Sequence, residues 1–374
     1  MRADWAQHLL QMEGTLQARP ARSLAPAQVG DDDVAVLMPT SGSTGTPQLV
    51  VVSHGNLRAN TEAIVRSQRL GSDERAMLIM PASYCFGASV VHSHLYQGGS
   101  VVFDSRFMFP DKVLRAIDAY RCTTFAGVPA VYNILLRRSS LRTQPLGSLR
   151  RFLQAGGALA TDSVRELCDI LPEGEFFAMY GQTEATARIA SLPVVRAREK
   201  LGSVGQPLDN LKVRVVDEND KELSTGEVGE ILVRGPSVCS QYFDDPESSA
   251  RKFNDGWLKT GDFGRLDADG YLWITGRTDD FIKIRGFRVG SGEVEERVAA
   301  IPGVYECAAV GVKHAEAGEA LALFVVAEND ANGLAEKVRL SLPPLWTCAS
   351  VNVVAALPRT SNGKVARSQL RTLA

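Results

Sequence analysis

No two of the six cysteines stand close together; they occupy positions 85, 122, 168, 239, 307 and 348. That spacing excludes a zinc ribbon and argues against a disulfide framework. Long hydrophobic runs are missing too: no apolar stretch approaches the ~20 residues of a membrane-spanning helix. The opening Met1-Arg2-Ala3-Asp4-Trp5 lacks the apolar centre of a secretion signal, so a cytoplasmic protein with no membrane partner is expected. Neither charge is in excess. The 41 Lys and Arg against 43 Asp and Glu leave a net charge of −2, which gives no electrostatic footprint for nucleic acid. Histidine is scarce as well. His92 and His94 are spaced to share one face of a strand, but with no third ligand in range the spacing favours a structural role over a metal site.

What remains is an ordinary globular composition, 45% hydrophobic and 22% charged, over 374 residues, enough for two or three domains. After a short helical pattern and linker over residues 1–33, strands and helices alternate. Val34–Met38, Leu49–Val52, Ala76–Met80, Ser100–Phe103, Thr123–Ala126, Arg151–Ala155 and Glu175–Met179 are strand-like. Helical patterns run from His54 to about Ser67 and over Lys112–Tyr120 and Thr161–Ile170, and this alternation predicts a mostly parallel α/β sheet. Beyond about 200 the runs Lys212–Val216, Gly229–Arg234 and Tyr271–Ile274 alternate between Gly and Asp turns, as in a small antiparallel sheet or barrel. From Phe281 a β-α-β-β-α-β order predicts a small α+β unit. The expected fold is therefore α/β. A large N-terminal domain, 1–278, would contain an antiparallel β subdomain at about 203–276, followed by a small C-terminal α+β domain, 279–374.

Five stretches carry candidate chemistry. Thr40-Ser41-Gly42-Ser43-Thr44-Gly45-Thr46-Pro47 packs hydroxyls and glycines between two strands, which suits phosphate oxygens or simply a polar hairpin turn. It is no Walker loop, since Pro47 stands five positions after Gly42. Met179-Tyr180-Gly181-Gln182-Thr183-Glu184 crowds an aromatic, a hydroxyl and a carboxylate at the carboxyl end of a strand, where such sheets bind ligands, although a surface turn fits the same residues. Thr260-Gly261-Asp262 offers a carboxylate to vicinal hydroxyls, or is a turn former. Gly276-Arg277-Thr278-Asp279-Asp280 with Ile284–Val289 is either a charged linker or a forked donor beside a pivot. Pro358-Arg359-Thr360-Ser361-Asn362-Gly363-Lys364 puts one lysine on a glycine-rich turn, a position usually held by a solvated side chain.

In this order the five stretches resemble the acyl-adenylate-forming superfamily, which holds acyl-CoA synthetases, the adenylation domains of peptide synthetases, and luciferases. Gln154-Ala155-Gly156-Gly157-Ala158, Gly202–Pro207 and Gly229–Pro236 match as well. The resemblance implies ATP-dependent activation of a small carboxylic acid to acyl-AMP and pyrophosphate, then transfer to the pantetheine thiol of coenzyme A. It implies ATP and Mg2+ as cofactors. By the same resemblance Thr40, Ser41, Gly42, Ser43, Thr44, Gly45, Gly157, Gly181 and Arg277 would surround the nucleotide. Tyr180 would stack on adenine, and Asp262 would hold the ribose. Thr183 would meet the α-phosphate, Glu184 the metal, and Lys364 the transferring centre. Asp279 would be the hinge of a mobile C-terminal domain, and Tyr84, Phe86, Val128, Ala155 and Gly156 would line the acyl pocket.

Three departures stand out. Gln48 occupies the place where the family's loop carries lysine, and Tyr84 stands where relatives often have a histidine. About 39 residues precede the loop, fewer than the family usually has, so a homodimer or a partner covering that side is expected. Two other readings compete. One is a stand-alone enzyme loading an acyl or peptidyl carrier protein. The other is a degenerate nucleotide- or acyl-binding protein without turnover, against which the retained Lys364, Glu184, Asp262 and Arg277 argue.

Overall fold

Along the buried strands, successive side chains leave for opposite faces of one sheet, and this alternation organises the larger part of the chain. The computed structural model describes residues 28–40, 48–192, 199–277, 281–327, 332–359 and 365–374, without the Arg288 side chain. All its elements lie in one compact unit, Asp31–Ala374. Strands β1 (Val34–Pro39) and β2 (Leu49–Ser53) pair antiparallel. Helix α1 (His54–Gln68) follows from a capping box: Asn56 N donates to Ser53 Oγ and Ser53 N to Asn56 Oδ1, both at 3.1 Å. Next come β3 (Arg75–Leu78), α2 (Cys85–Tyr96), β4 (Ser100–Phe103), α3 (Pro110–Ala119), β5 (Thr124–Gly127), α4 (Pro129–Arg138), β6 (Arg151–Gln154), α5 (Thr161–Ile170) and β7 (Glu175–Tyr180).

The sheet order is β4-β3-β5-β6-β7, all parallel, extended by the short antiparallel strands β8 (Ala190–Ser191) and β9 (Gln206–Pro207). Met77, Phe125, Phe152 and Phe176 face one core with α3, α4 and α5. Their neighbours Leu78, Ala126, Leu153 and Phe177 face another with α2. Tyr132 of α4 sits in the first core, fully buried, and donates its hydroxyl to the carbonyls of Phe125 and Leu153 at 3.2 and 2.9 Å. At the other end of the strands Glu74, almost fully buried, pairs with Arg151 at 2.5 Å. Losing one partner of such a buried pair costs about 3–5 kcal/mol.

The second sheet is antiparallel. It contains β10 (Lys212–Val216), β11 (Gly229–Arg234), β12 (Phe253–Asn254), β13 (Trp257–Leu266) and β14 (Leu272–Arg277), with α6 (Pro246–Lys252) leading into β12. The third sheet follows the tail: β15 (Phe281–Ile284), β16 (Phe287–Gly290), α7 (Ser291–Ala299), β17 (Val304–His314), β18 (Gly318–Ala327), α8 (Leu334–Ser341), β19 (Cys348–Val353) and α9 (Arg367–Leu373). The tail has its own two cores, one on each face of its sheet. The expected α/β architecture is therefore the observed one, with elements added, among them helices α2 and α6 and the long strand β13. Helix α4 and strand β16 lie inside expected domains, and α9 extends the β-α-β-β-α-β order.

One expectation is corrected. His92 and His94 lie on helix α2, where two residues turn ~200° about the axis, so they do not share a face. His94 is buried, its Nδ1 2.9 Å from the Val90 carbonyl, and burial lowers its pKa. Among the described residues no group of three or more His, Cys, Asp or Glu could hold a metal ion, and no helix is long and apolar enough to cross a membrane.

Candidate active site

The carboxyl ends of β3, β5, β6 and β7 lie on one edge of the parallel sheet, the edge that collects ligands in open α/β folds. Tyr84 follows β3, Val128 follows β5, Ala155 to Gly157 follow β6, and Gly181 to Glu184 follow β7. The parallel pairing therefore brings together residues separated by up to 100 positions in the chain.

The tightest constellation joins β7 to the antiparallel sheet. Tyr180 donates its hydroxyl to Asp262 Oδ2 at 2.5 Å. Arg277 Nε lies 2.9 Å from Asp262 Oδ1, the two being direct partners across β13 and β14. Gln182 Nε2 reaches Asp262 Oδ2 at 3.4 Å and the Thr260 carbonyl at 3.3 Å. Asp262 is buried, and Arg277 is half exposed. Burial, and then the charge of Asp262, push the Tyr180 phenol far above its ordinary pKa, so it stays a donor.

Glu184 sits on the turn that leaves β7. Its Oε1 accepts a 2.7 Å hydrogen bond from the Tyr242 hydroxyl, and its carbonyl accepts from Cys239 N at 2.9 Å. Thr183 is buried, with its hydroxyl 3.5 Å from Cys85 Sγ. Two residues here escaped the sequence reading. Tyr242 orients the Glu184 carboxylate. Lys252 donates to the Thr260 carbonyl at 2.9 Å, and its pKa is lowered chiefly by burial, against the raising pull of Glu184, Asp262 and Glu230. Lys252 thus places a cation beside the carboxylates from the last residue of α6. Neither residue belongs to a local pattern.

At the flank of the glycine-rich loop, Thr40 N donates to the Gln48 carbonyl at 2.8 Å, closing its base. The Gln48 amide donates to Asp245 Oδ2 at 2.8 Å, while Asp245 Oδ1 caps α6 through Ser248 N. In place of a cation, position 48 carries a tie to the N-cap of α6. Ser41, Gly42, Ser43, Thr44, Gly45, Asp279 and Lys364 lie outside the described residues.

Tyr84, Phe86, Val128 and Ala155 pack in one apolar cluster with Met80, Phe177 and Met179. Gly156, with φ +92, abuts Val128. The Gly157 carbonyl accepts from Gln154 Nε2 at 2.8 Å. All the described acyl-pocket candidates therefore come to one place, an apolar cluster at the carboxyl ends of the strands. The carboxylates of Glu184 and Asp262, with Tyr180, Arg277 and Lys252 among them, form a mixed-charge donor and acceptor set that suits a nucleotide with its divalent ion.

A model of the family described as AMP-binding enzyme matches residues 2–243, and one described as AMP-binding enzyme C-terminal domain matches 293–364. The feruloyl-CoA synthase of an Amycolatopsis species is 34% identical over 349 residues, covering 92% of this chain and 70% of its own length. ATP-bound MatB from Rhodopseudomonas palustris superposes with a TM-score of 0.86 at 33% identity, over 94% of this chain and 70% of that one. The o-succinylbenzoate CoA synthetase of Bacillus subtilis, solved with its acyl-adenylate intermediate, gives 0.82 at 29% identity, over 91% and 70%.

Proposed function

The chain belongs to the AMP-binding enzyme family and is an acid–thiol ligase; from that premise we propose that it activates a small carboxylic acid with ATP and passes the acyl group to the thiol of coenzyme A. The observation that carries this reading is the Tyr180–Asp262–Arg277 cluster at the end of β7, with Glu184 beside it. In the first step an oxygen of the substrate carboxylate bonds to the α-phosphorus and the bond to pyrophosphate breaks. In the second, the coenzyme A thiol gives up its proton to solvent, its sulfur bonds to the acyl carbon, and AMP leaves with the carboxylate oxygen. Asp262 accepts from the ribose hydroxyls, Arg277 donates to the ribose or phosphate, and Thr183 donates to the α-phosphate. Mg2+, held by Glu184, would supply charge neutralisation at the phosphates. Tyr180 presents its ring to the adenine while its hydroxyl fixes Asp262. Pyrophosphate release that requires both ATP and an acid tests the reading, and release unaffected by omitting the acid would sink it. A carrier protein replacing coenzyme A as acceptor is a separate outcome of the same assay.

Lys364 approaches the two anions during adenylation and, with a pivot at Asp279, withdraws before thiol attack. The proposed domain boundary, 278/279, follows from this pivot. Lys364→Ala should slow adenylation about 10²–10³-fold, the loss typical of one preorganised donor. Thioester formation from supplied acyl-AMP should change little, and equal losses in both half-reactions would remove the two-pose mechanism. On the outer strand β4, Phe103 is exposed, as are Leu95 and Tyr96 at the end of α2. This apolar surface supports a second copy or a partner on that edge. Sedimentation should give a dimer at micromolar concentration, and a stable monomer there would count strongly against the proposal.

A further inference from the structure

Arg188 is a buried cation that the mechanism above does not use. It follows the sharp turn at Thr186 (φ 68) and is 2% exposed. Its backbone is pinned from both sides by Asn60, whose Oδ1 accepts from Arg188 N at 3.3 Å and whose Nδ2 donates to Arg188 O at 2.9 Å. The guanidinium has poor company. Its central carbon lies 5.6 Å from the Phe86 ring centroid, and one nitrogen abuts the Met179 sulfur. Among the described residues no carboxylate pairs with it. Burial alone pushes its pKa down to about 10, with only Cys85 opposing. A second buried polar group stands nearby in the same condition. Gln68 donates to the same Met179 sulfur at 3.3 Å, and among the described residues its Oε1 has no hydrogen-bond partner.

Phe86 and Met179 belong to the apolar cluster that contains Tyr84, Val128 and Ala155. The uncompensated charge therefore borders the wall assigned to the acyl group. A desolvated guanidinium without a counter-ion is costly, whereas a ligand carboxylate can take two parallel hydrogen bonds from its fork. We propose that Arg188 receives a second anionic group at the far end of the substrate, so that the acid activated is a dicarboxylate or an acid of equivalent charge. This rests on the acid-activating function proposed above and specifies its substrate class. Arg188 sets specificity. The reacting carboxylate stays with Thr183 at the other end.

The test compares succinate, glutarate and adipate with butyrate, valerate and hexanoate by pyrophosphate release, in wild type, Arg188→Met and Arg188→Lys. Sites built around a buried polar group reject analogues lacking its partner by large factors, so the best diacid should exceed its neutral match by about 10²–10⁴ in kcat/KM. Arg188→Met should abolish that preference while keeping or raising turnover of the monoacids, and Arg188→Lys should restore part of it. Without ligand, Arg188→Met should melt above wild type, because an unpaired buried charge has been removed. A monoacid preference in wild type, an unchanged preference in Arg188→Met, or a lower melting point for that variant would overturn the proposal. Silence from every acid would sink the proposed activity instead. Melting shifts then decide Arg188: millimolar glutarate stabilising wild type and not Arg188→Met supports the proposal, and equal shifts, or stabilisation by ATP alone, refute it.

Discussion

Asp262→Ala is expected to lower kcat/KM for ATP by about 10²–10⁴ while the protein remains folded. A hydrogen bond to a charged group contributes roughly 1.5–3 kcal/mol. The proposed role of Asp262 gives it two, to vicinal ribose hydroxyls, hence about 3–6 kcal/mol, at 1.36 kcal/mol per factor of ten. The carboxylate is buried and already oriented by Tyr180 and Arg277, so little of that energy is lost in ordering it. Stability should suffer less, because Arg277 is half exposed and water can replace its partner. The informative measurement uses 2′-deoxy-ATP beside ATP. Wild type should prefer ATP and Asp262→Ala should not. A preference that survives the substitution would place the ribose elsewhere.

Gly181→Ala is expected to cost about 4 kcal/mol or more in stability, among the largest effects of a single methyl group. A Cβ at position 181 would lie 1.7 Å from the Ala187 carbonyl oxygen, 2.7 Å from its carbon and 3.0 Å from Arg188 Cα. These are backbone atoms of the hairpin that returns from β7 into β8, held by Ile189 N to Tyr180 O at 2.8 Å. They cannot swing aside as a side chain would. Thermal melting should show a marked drop or insoluble protein, and because Arg188 is displaced, acid selectivity should fall with it. Gly292→Ala is the control: its nearest foreign atom is 3.9 Å away at the start of α7, and it should be neutral or mildly stabilising. A melting point for Gly181→Ala equal to that of the control would refute the packing argument.

The amino-acid sequence reveals the place of such a glycine and not always its cause. Gly181 is legible as part of a candidate site turn after a strand, but its steric reason is not, since it depends on a chain that folds back six residues later. Strands β5, β6 and β7 are legible because their alternation between two cores is a local pattern. Helix α4 had a signal as well: Pro129 at its first turn, then Val131, Tyr132, Leu135 and Leu136 on one buried face. Strand β16 hangs on Arg285 and Gly286, both at positive φ, a two-residue hairpin turn inside a stretch read for its charges. In the site, Tyr180, Thr183 and Glu184 could be named because they are contiguous. Tyr242, Lys252 and Arg188 could not. Tyr242 reaches Glu184 across 58 positions, and nothing nearby in the chain marks it. The paucity of partners around Arg188 is a property of the packed interior alone.

The tie between Gln48 and Asp245 changes how the loop entrance should respond to ionic strength. A lysine there would attract phosphates through a field that ~0.15 M salt screens within about 8 Å. A neutral amide fastened to a helix cap exerts no such field. It holds the loop's exit by geometry, so position 48 adds no electrostatic steering to nucleotide capture. Under the function proposed above, attraction for the triphosphate falls instead to cations elsewhere, of which Arg277 and Lys252 stand beside the carboxylates of Asp262 and Glu184.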